Sequence, residues 1–277
     1  MKKVELTLSY AGFCYAKEKY SIKGGGNFLI KFQALFGVIF HSNMGWILYD
    51  TGYTTRFYDV TKNYPNKIYA NATKVEVTET HEVKSQLKKM GLSPSDIKHI
   101  VITHFHADHI GGLKDFQEAT FYCSKKAFNH LESMSQFWGF TKGILKDLIP
   151  SDFTTRLKFI EEFSTKIPDE IFGHKYDLWG DDSMFIYELP GHAAGQIGVL
   201  LKTEKNTYFL IADACWNRKS YTELILPPQI VRIFIDSWKG FKYSLGKINA
   251  FHNKYPEVII VPTHCSATTD SIVNCVL

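Results

Sequence analysis

The sequence lacks the cysteine pattern and the apolar runs that mark several classes of protein. Its five cysteines are an odd number without regular spacing, so they predict no disulfide framework and fit a reducing compartment. No stretch approaches the roughly 20 consecutive apolar residues of a transmembrane helix, and no unbroken apolar segment follows Met1 as it would in a secretory signal. We therefore expect a cytoplasmic protein that does not associate with membranes.

The chain also has little excess of positive over negative charge. The net charge is only +4 at pH 7, and the lysines occur in scattered pairs. Because nucleic-acid binding needs a concentrated basic surface, we predict no nucleic-acid partner and expect a small-molecule substrate. With 277 residues, 45% of them hydrophobic, the chain can bury a large core, and we predict a monomer or a homodimer.

Histidine, in contrast, is concentrated in one short segment. Three of the 11 histidines and one aspartate fall within the six residues His104-Phe105-His106-Ala107-Asp108-His109. The apolar run at 99–102 predicts a buried strand directly before them. Imidazole and carboxylate groups at such close spacing suit a borderline metal ion such as zinc. His104 and His106 alternate along an extended backbone and can face one ion, while Asp108 and His109 can face a second.

Further polar residues stand at the ends of other apolar runs. His192 lies in the turn Pro190-Gly191-His192, Asp213 follows the run 208–212, and His264 follows the run 258–263. Asp50 ends an earlier run in the same way, in Asp50-Thr51-Gly52. These four residues therefore lie where predicted strands turn into loops.

The order and context of these residues resemble the metallo-β-lactamase superfamily of dinuclear metallohydrolases. The resemblance covers nearly the whole chain and implies an α/β fold, the αββα four-layer sandwich, in a single domain over residues 1–277. It implies two zinc ions, with iron or manganese also compatible with the ligands. The implied ligands are His104, His106 and His192 for one ion, Asp108, His109 and His264 for the other, and Asp213 as a bridge between them.

The resemblance also implies a reaction. Seven protein ligands leave coordination positions open, as a catalytic metal site needs. Water between two cations loses a proton near neutral pH and becomes a hydroxide nucleophile. Asp108 would then carry a proton to the leaving group, and Asp50 would orient a ligand from behind. We therefore predict a metal-dependent hydrolase.

Within the superfamily, the long segment before His192 and the Pro-Gly-His turn look most like the N-acyl-homoserine lactonases, which implies an ester or lactone substrate. Those lactonases have Asp-Ala-x-Tyr at the bridging aspartate, and the tyrosine helps to hold the substrate carbonyl. This chain has Asp213-Ala214-Cys215-Trp216, and an indole N–H donates only one hydrogen bond. A phosphodiesterase, a thioester hydrolase similar to glyoxalase II, and a metal-bound sensor without turnover remain as alternatives.

The residues around the substrate are the least defined by the sequence. Segment 124–175 is predicted to form a helical cap over the metals, or else helices packed on a sheet. Asp236 is predicted to cap the helix whose apolar stripe begins at Trp238. The predicted pocket residues are Trp216, Tyr221, Phe137 and Trp138.

Overall fold

The computed structural model describes residues 1–135 and 137–273, and two facing β-sheets form its centre. The strands of the first sheet are β1 (Glu5–Lys17), β2 (Leu29–His41), β3 (Gly45–Tyr49), β4 (Val75–Glu76), β5 (Ile97–Val101), β6 (Thr120–Cys123) and β7 (Leu157–Phe159). Their order is β4-β1-β2-β3-β5-β6-β7. The neighbouring strands β3, β5, β6 and β7 run parallel to one another. The pairings of β1 with β2, β1 with β4 and β2 with β3 are antiparallel.

The second sheet is mostly antiparallel. Its strands are β8 (Thr165–Asp169), β9 (Gly173–Asp177), β10 (Met184–Glu188), β11 (Ile197–Lys202), β12 (Thr207–Ala212) and β13 (Ile259–Pro262). Their order is β13-β12-β11-β10-β9-β8, and only the pairing of β12 with β13 is parallel among those described.

The described residues also form helices, several of which pack on the outer faces of the sheets. They are α1 (Glu18–Ser21), α2 (Arg56–Val60), α3 (Lys67–Ala72), α4 (Val83–Lys89), α5 (Ala107–Ile110), α6 (Lys125–Ser133), α7 (Ile160–Phe163), α8 (Arg218–Glu223), α9 (Trp238–Lys254) and α10 (Ser266–Thr269). In residues 1–135 and 137–273, none of them combines the length and the apolar character needed to cross a bilayer.

Alternation along the strands divides the core into three layers. Ile47 and Tyr49 face the second sheet, where Ile186 of β10 belongs to the same buried cluster. Leu48, between them in sequence, faces the opposite way and belongs to the cluster under α4. A third cluster lies between the second sheet and α9. Because successive strand side chains point to opposite faces, each sheet buries both of its faces. The predicted αββα sandwich is confirmed.

Segment 124–175, for which a helical cap is predicted, contains elements of several kinds. Its first part holds α6, three short 3-10 turns and α7, whereas β7 joins the first sheet and β8 and β9 form an edge hairpin of the second. Ile167 pairs with Lys175 in this hairpin, and the turn at 170–172 connects its strands. Helical structure in the segment therefore ends at Phe163.

The predicted cap of α9 is off by one residue. Ser237, not Asp236, precedes the helix, and its hydroxyl accepts a hydrogen bond from Gly240 N at 3.1 Å. A serine hydroxyl is well placed for this bond because the capping residue stands just before the first helical turn.

Candidate metal centre

The predicted ligands meet at one edge of the two sheets. Segment 104–109 follows β5, Asp213 follows β12, and His264 comes two residues after the end of β13. The parallel pairing of β12 with β13 brings the last two together, and β5 ends on the facing sheet. Sites in α/β proteins commonly form at such carboxyl ends of parallel strands.

Three histidines form the first group, which we call the three-histidine cluster: His104, His106 and His192. Their ligand atoms lie within 4.8 Å of one another. His192 Nε2 is 3.0 Å from His106 Nδ1. His104 Nδ1 contacts the Thr103 hydroxyl at 3.1 Å, so its Nε2 remains for the cluster.

Four residues form the second group, which we call the carboxylate cluster: Asp108, His109, Asp213 and His264, whose ligand atoms also lie within 4.8 Å. His264 Nε2 is 2.9 Å from Asp213 Oδ2 and 3.3 Å from Asp108 Oδ2. Asp213 Oδ1 is 3.5 Å from His109 Nε2. Asp213 Oδ2 is also 3.4 Å from His192 Nε2. Asp213 therefore lies between the two clusters.

Buried acceptors hold the histidines of the carboxylate cluster from behind. Asp50 accepts hydrogen bonds from Thr103 N and Oγ1, both at 2.8 Å, and its Oδ2 is 2.7 Å from His109 Nδ1. The carbonyl oxygen of Gln33 is 2.9 Å from His264 Nδ1. Each contact directs an N–H away from the cluster and leaves Nε2 facing it. The contact predicted for Asp50 is thus present.

The turn that carries His192 requires glycine. Gly191 has φ +141°, and a Cβ on it would lie 2.1 Å from Phe241 N. The start of α9 holds this turn, since Ser237 N donates to Gly191 O at 2.9 Å and Asp236 N donates to His192 O at 3.1 Å. The Pro-Gly-His pattern in the sequence therefore reflects close packing of the turn on a helix start.

Burial keeps the three-histidine cluster neutral. It lowers the pKa of His104 well below the ordinary value and lowers the pKa of His106 to about 3, and the neighbouring histidines add to both shifts. Burial is also the main cause that lowers the pKa of His192. Neutral imidazole is the form that binds a metal ion, so these side chains need not lose a proton on binding.

The carboxylate cluster is charged instead. Burial would lower the pKa of His109, but Asp108 and Asp50 raise it well above the ordinary value. Asp213 and Asp108 likewise outweigh burial and raise the pKa of His264 to about 10. In return, these histidines hold the pKa of Asp108 at about 2 although burial acts to raise it. A bound cation would replace the imidazolium protons as the partner of the carboxylates.

The arrangement fits divalent metal ions. In the two clusters, the buried atoms His104 Nε2, His109 Nε2 and Asp213 Oδ1 have no hydrogen-bond partner among the described residues. Buried polar atoms are normally paired, because an unpaired one costs free energy. Ligands about 2.0–2.2 Å from a tetrahedral ion lie roughly 3.3–3.6 Å apart, which is similar to the separations seen here. The fold and this His/Asp set together indicate a site for divalent metal ions.

The predicted pocket residues do not come together. Trp216 lies beside the clusters, with its ring 5.5 Å from that of His192. Tyr221 is buried in the core under α9 and packs on His252. Phe137 and Trp138 are 58% and 60% exposed and pack on each other.

A groove beside His106 and His192 was not predicted. Its apolar wall includes Phe105, Ile144 and Phe234, and its polar residues include His130, Lys142 and Asp236. These residues come from separate parts of the chain, and nothing in their local sequence marks them. Gln33 and Thr103 were also missed as supports. Gln33 acts through its backbone carbonyl, which any residue type supplies, whereas Thr103 adjoins the histidine motif and could have been considered.

Comparison with known proteins shows the family to which the chain belongs. The sequence profile of the Metallo-beta-lactamase superfamily matches residues 31–231, which is more than half of the chain. The chain therefore belongs to the metallo-β-lactamase superfamily.

Particular relatives are N-acyl homoserine lactonases. The enzyme AttM of Rhizobium radiobacter is 25% identical over 177 residues, which cover 63% of this chain and 61% of that protein. AttM of Azorhizobium caulinodans is 28% identical over 144 residues, which cover 52% of this chain and 51% of that protein. The chain thus spans less than two thirds of the length of these relatives.

Solved structures share the fold. An N-acyl homoserine lactone hydrolase with the product N-hexanoyl-L-homoserine bound at its catalytic metal centre matches with a TM-score of 0.76. The match has 17% sequence identity and covers 98% of this chain and 97% of that one. At this identity the likeness supports the architecture alone.

Proposed function

We propose that the protein is a hydrolase that uses two divalent metal ions, zinc in the first instance, to open an ester or a lactone. The observation that carries the proposal is the position of Asp213 between two clusters of buried ligands, 3.4 Å from His192 and 2.9 Å from His264. His104, His106 and His192 would hold one ion, and Asp108, His109 and His264 the other. The ions, when bound, supply a Lewis acid and lower the pKa of a water molecule.

The residues of the chain position the substrate and move a proton. Asp108 is a buried member of the carboxylate cluster, and the neighbouring histidines hold it in its ionised form, so it can accept a proton and pass it to a leaving oxygen. Phe105, Ile144 and Phe234 place apolar side chains beside His106 and His192. N-acyl homoserine lactones combine an apolar acyl part with an ester bond, and the relatives named above act on them.

A phosphodiesterase is the second candidate. The groove beside His106 and His192 contains Lys142, and a cationic side chain beside a metal site favours an anionic substrate. Asp236 in the same groove offsets part of this charge. A thioester substrate and a metal-bound sensor without turnover have no comparable observation in their favour.

We also infer a reducing compartment and therefore a cytoplasmic location. The four cysteines within the described residues, Cys14, Cys123, Cys215 and Cys265, are all unpaired.

Metal content and substrate class are tested on one preparation. Elemental analysis after gentle purification should give close to two ions per chain. The same sample is then assayed against N-acyl homoserine lactones, simple lactones, thioesters and phosphodiesters. We expect turnover of lactones that is lost in Asp108→Asn without loss of fold. Turnover of phosphodiesters alone would replace the substrate assignment. A content well below two ions per chain after metal addition would overturn the dinuclear site.

A further inference from the structure

Trp216 makes a polar contact that the sequence did not reveal. Its indole Nε1–H donates a hydrogen bond to Asp213 Oδ2 at 3.2 Å. The same oxygen faces His264 and His192, while Oδ1 points toward His109. The indole therefore bonds to the carboxylate that lies between the two clusters.

Aromatic neighbours fix the indole in this orientation. The ring of His192 meets it edge-on at 5.5 Å, with an interplanar angle of 88°. Phe32 and Phe241 lie 6.3 Å and 6.1 Å from it, centroid to centroid. Phe32 also packs at 5.1 Å against His264. Trp216 thus contacts residues of both clusters through one rigid aromatic group.

The hydrogen bond also limits what else Trp216 can do. An indole has a single N–H and no other donor or acceptor of comparable strength. Since Asp213 takes this N–H, the indole cannot also donate to a substrate carbonyl, as the tyrosine at the corresponding place in the lactonases does. Its apolar faces remain available for packing.

We propose that Trp216 is a positioning residue that holds the Asp213 carboxylate in the orientation needed to bridge the two clusters. The proposal rests on the proposed metal site, but it does not depend on which substrate is hydrolysed. A carboxylate side chain can rotate about its terminal bond, and rotation would move Oδ1 away from His109 and Oδ2 away from His264. The indole N–H opposes this rotation.

The consequence is a contribution to metal retention. Hydrogen-bond partners of metal ligands typically change metal affinity or activity by about 10–100-fold when they are removed. Asp213 would contribute to the binding of both ions. We therefore expect its reorientation to lower the affinity for the more weakly held ion by a factor in this range.

The experiment measures metal binding by the full chain. The metal-free protein is prepared by chelation, and dissociation constants for Zn²⁺ are measured by competition with a chromophoric chelator. Visible absorption after loading with Co²⁺ reports the coordination of each ion. One variant is Trp216→Phe. A second replaces Trp216 with 3-benzothienylalanine, which has sulfur in place of the N–H and keeps the bicyclic ring.

Trp238→Phe is the matched control. Trp238 also stacks on Phe241, at 5.7 Å and 4°, but within the described residues it makes no hydrogen bond to Asp213. Circular dichroism and thermal unfolding of the metal-free proteins check that each variant folds.

We expect both Trp216 replacements to weaken the more weakly held Zn²⁺ by about 10–100-fold and to alter the Co²⁺ spectrum. The control should change neither. The proposal is overturned if Trp216→Phe weakens binding but the sulfur analogue does not, because the ring and not the N–H would then be responsible. It is also overturned if neither replacement changes affinity or spectrum. If the unmodified protein binds fewer than two ions, it is the proposed metal site that fails.

Discussion

The two clusters of the candidate metal centre are built differently. The three-histidine cluster consists of side chains that burial keeps neutral, and His192 Nδ1 lacks a partner among the described residues. The carboxylate cluster carries two acidic groups, and its histidines are held from behind by Asp50 and by the Gln33 carbonyl. Anionic ligands attract a cation more strongly, and anchored ligands lose less freedom on binding. We therefore expect the carboxylate cluster to bind its ion more tightly.

Asp213→Ala should have the largest effect, because it changes both clusters at once. The variant loses the carboxylate that approaches His192 on one side and His264 on the other. We expect hydrolysis to fall by orders of magnitude and metal content to drop below two ions per chain. The sheets and helices should persist, because three apolar clusters elsewhere stabilise them. Activity, elemental analysis and circular dichroism measure the three outcomes. Near-normal activity would exclude a bridging role.

Asp50→Asn should have the next largest effect, and it should act chiefly on the carboxylate cluster. An amide keeps the shape of the side chain but loses the negative charge next to His109 Nδ1, 2.7 Å away. Asp50 has φ 54°, and asparagine tolerates this left-handed conformation, so little backbone strain is added. We expect about 10–100-fold weaker binding of the tighter ion, measured by chelator competition.

Asp182→Asn is a matched control for this change, since Asp182 is exposed and also left-handed, with φ 61°. It should leave both affinities unaltered. If Asp50→Asn weakened only the second, looser ion, the proposed difference between the clusters would be reversed.

Gly143→Ala should produce the smallest effect, and only at the three-histidine cluster. Gly143 has φ +73°, and an added Cβ would lie 3.1 Å from His106 Cδ2. The left-handed conformation costs alanine about 1–2 kcal/mol of stability, and the methyl group presses on the imidazole. We expect weaker binding of the looser ion, by less than about tenfold and so below the range for Asp50→Asn.

Gly173→Ala separates backbone strain from contact. Gly173 has φ +86° with nothing within 4 Å of an added Cβ. Thermal unfolding should show a similar loss of stability in both variants, whereas metal affinity should change only in Gly143→Ala. Equal affinity in the two variants would show that Gly143 does not constrain His106.

The sequence was most informative where chemistry depends on neighbours in the chain. His104, His106, Asp108 and His109 lie within six residues, so their spacing alone indicated a metal site, and the structure brings them to one place. Apolar runs predicted the strands that precede these and the other ligands, such as β5, β12 and β13. The sequence was less informative in segment 124–175, where short 3-10 turns and an edge hairpin leave no long periodic pattern.

Pocket residues were harder to predict because aromatic side chains serve cores and binding sites equally well. Tyr221 and Trp216 lie five residues apart, yet one packs in the core under α9 and the other reaches Asp213. The sequence by itself determined the ligand types, their order and the strands that precede them, because these follow from local spacing and periodicity. Only the tertiary structure decided that Asp50 contacts His109, that the Gln33 carbonyl anchors His264, and that Trp216 donates to Asp213. Those contacts join residues far apart in the chain, and they form only when the two sheets pack face to face.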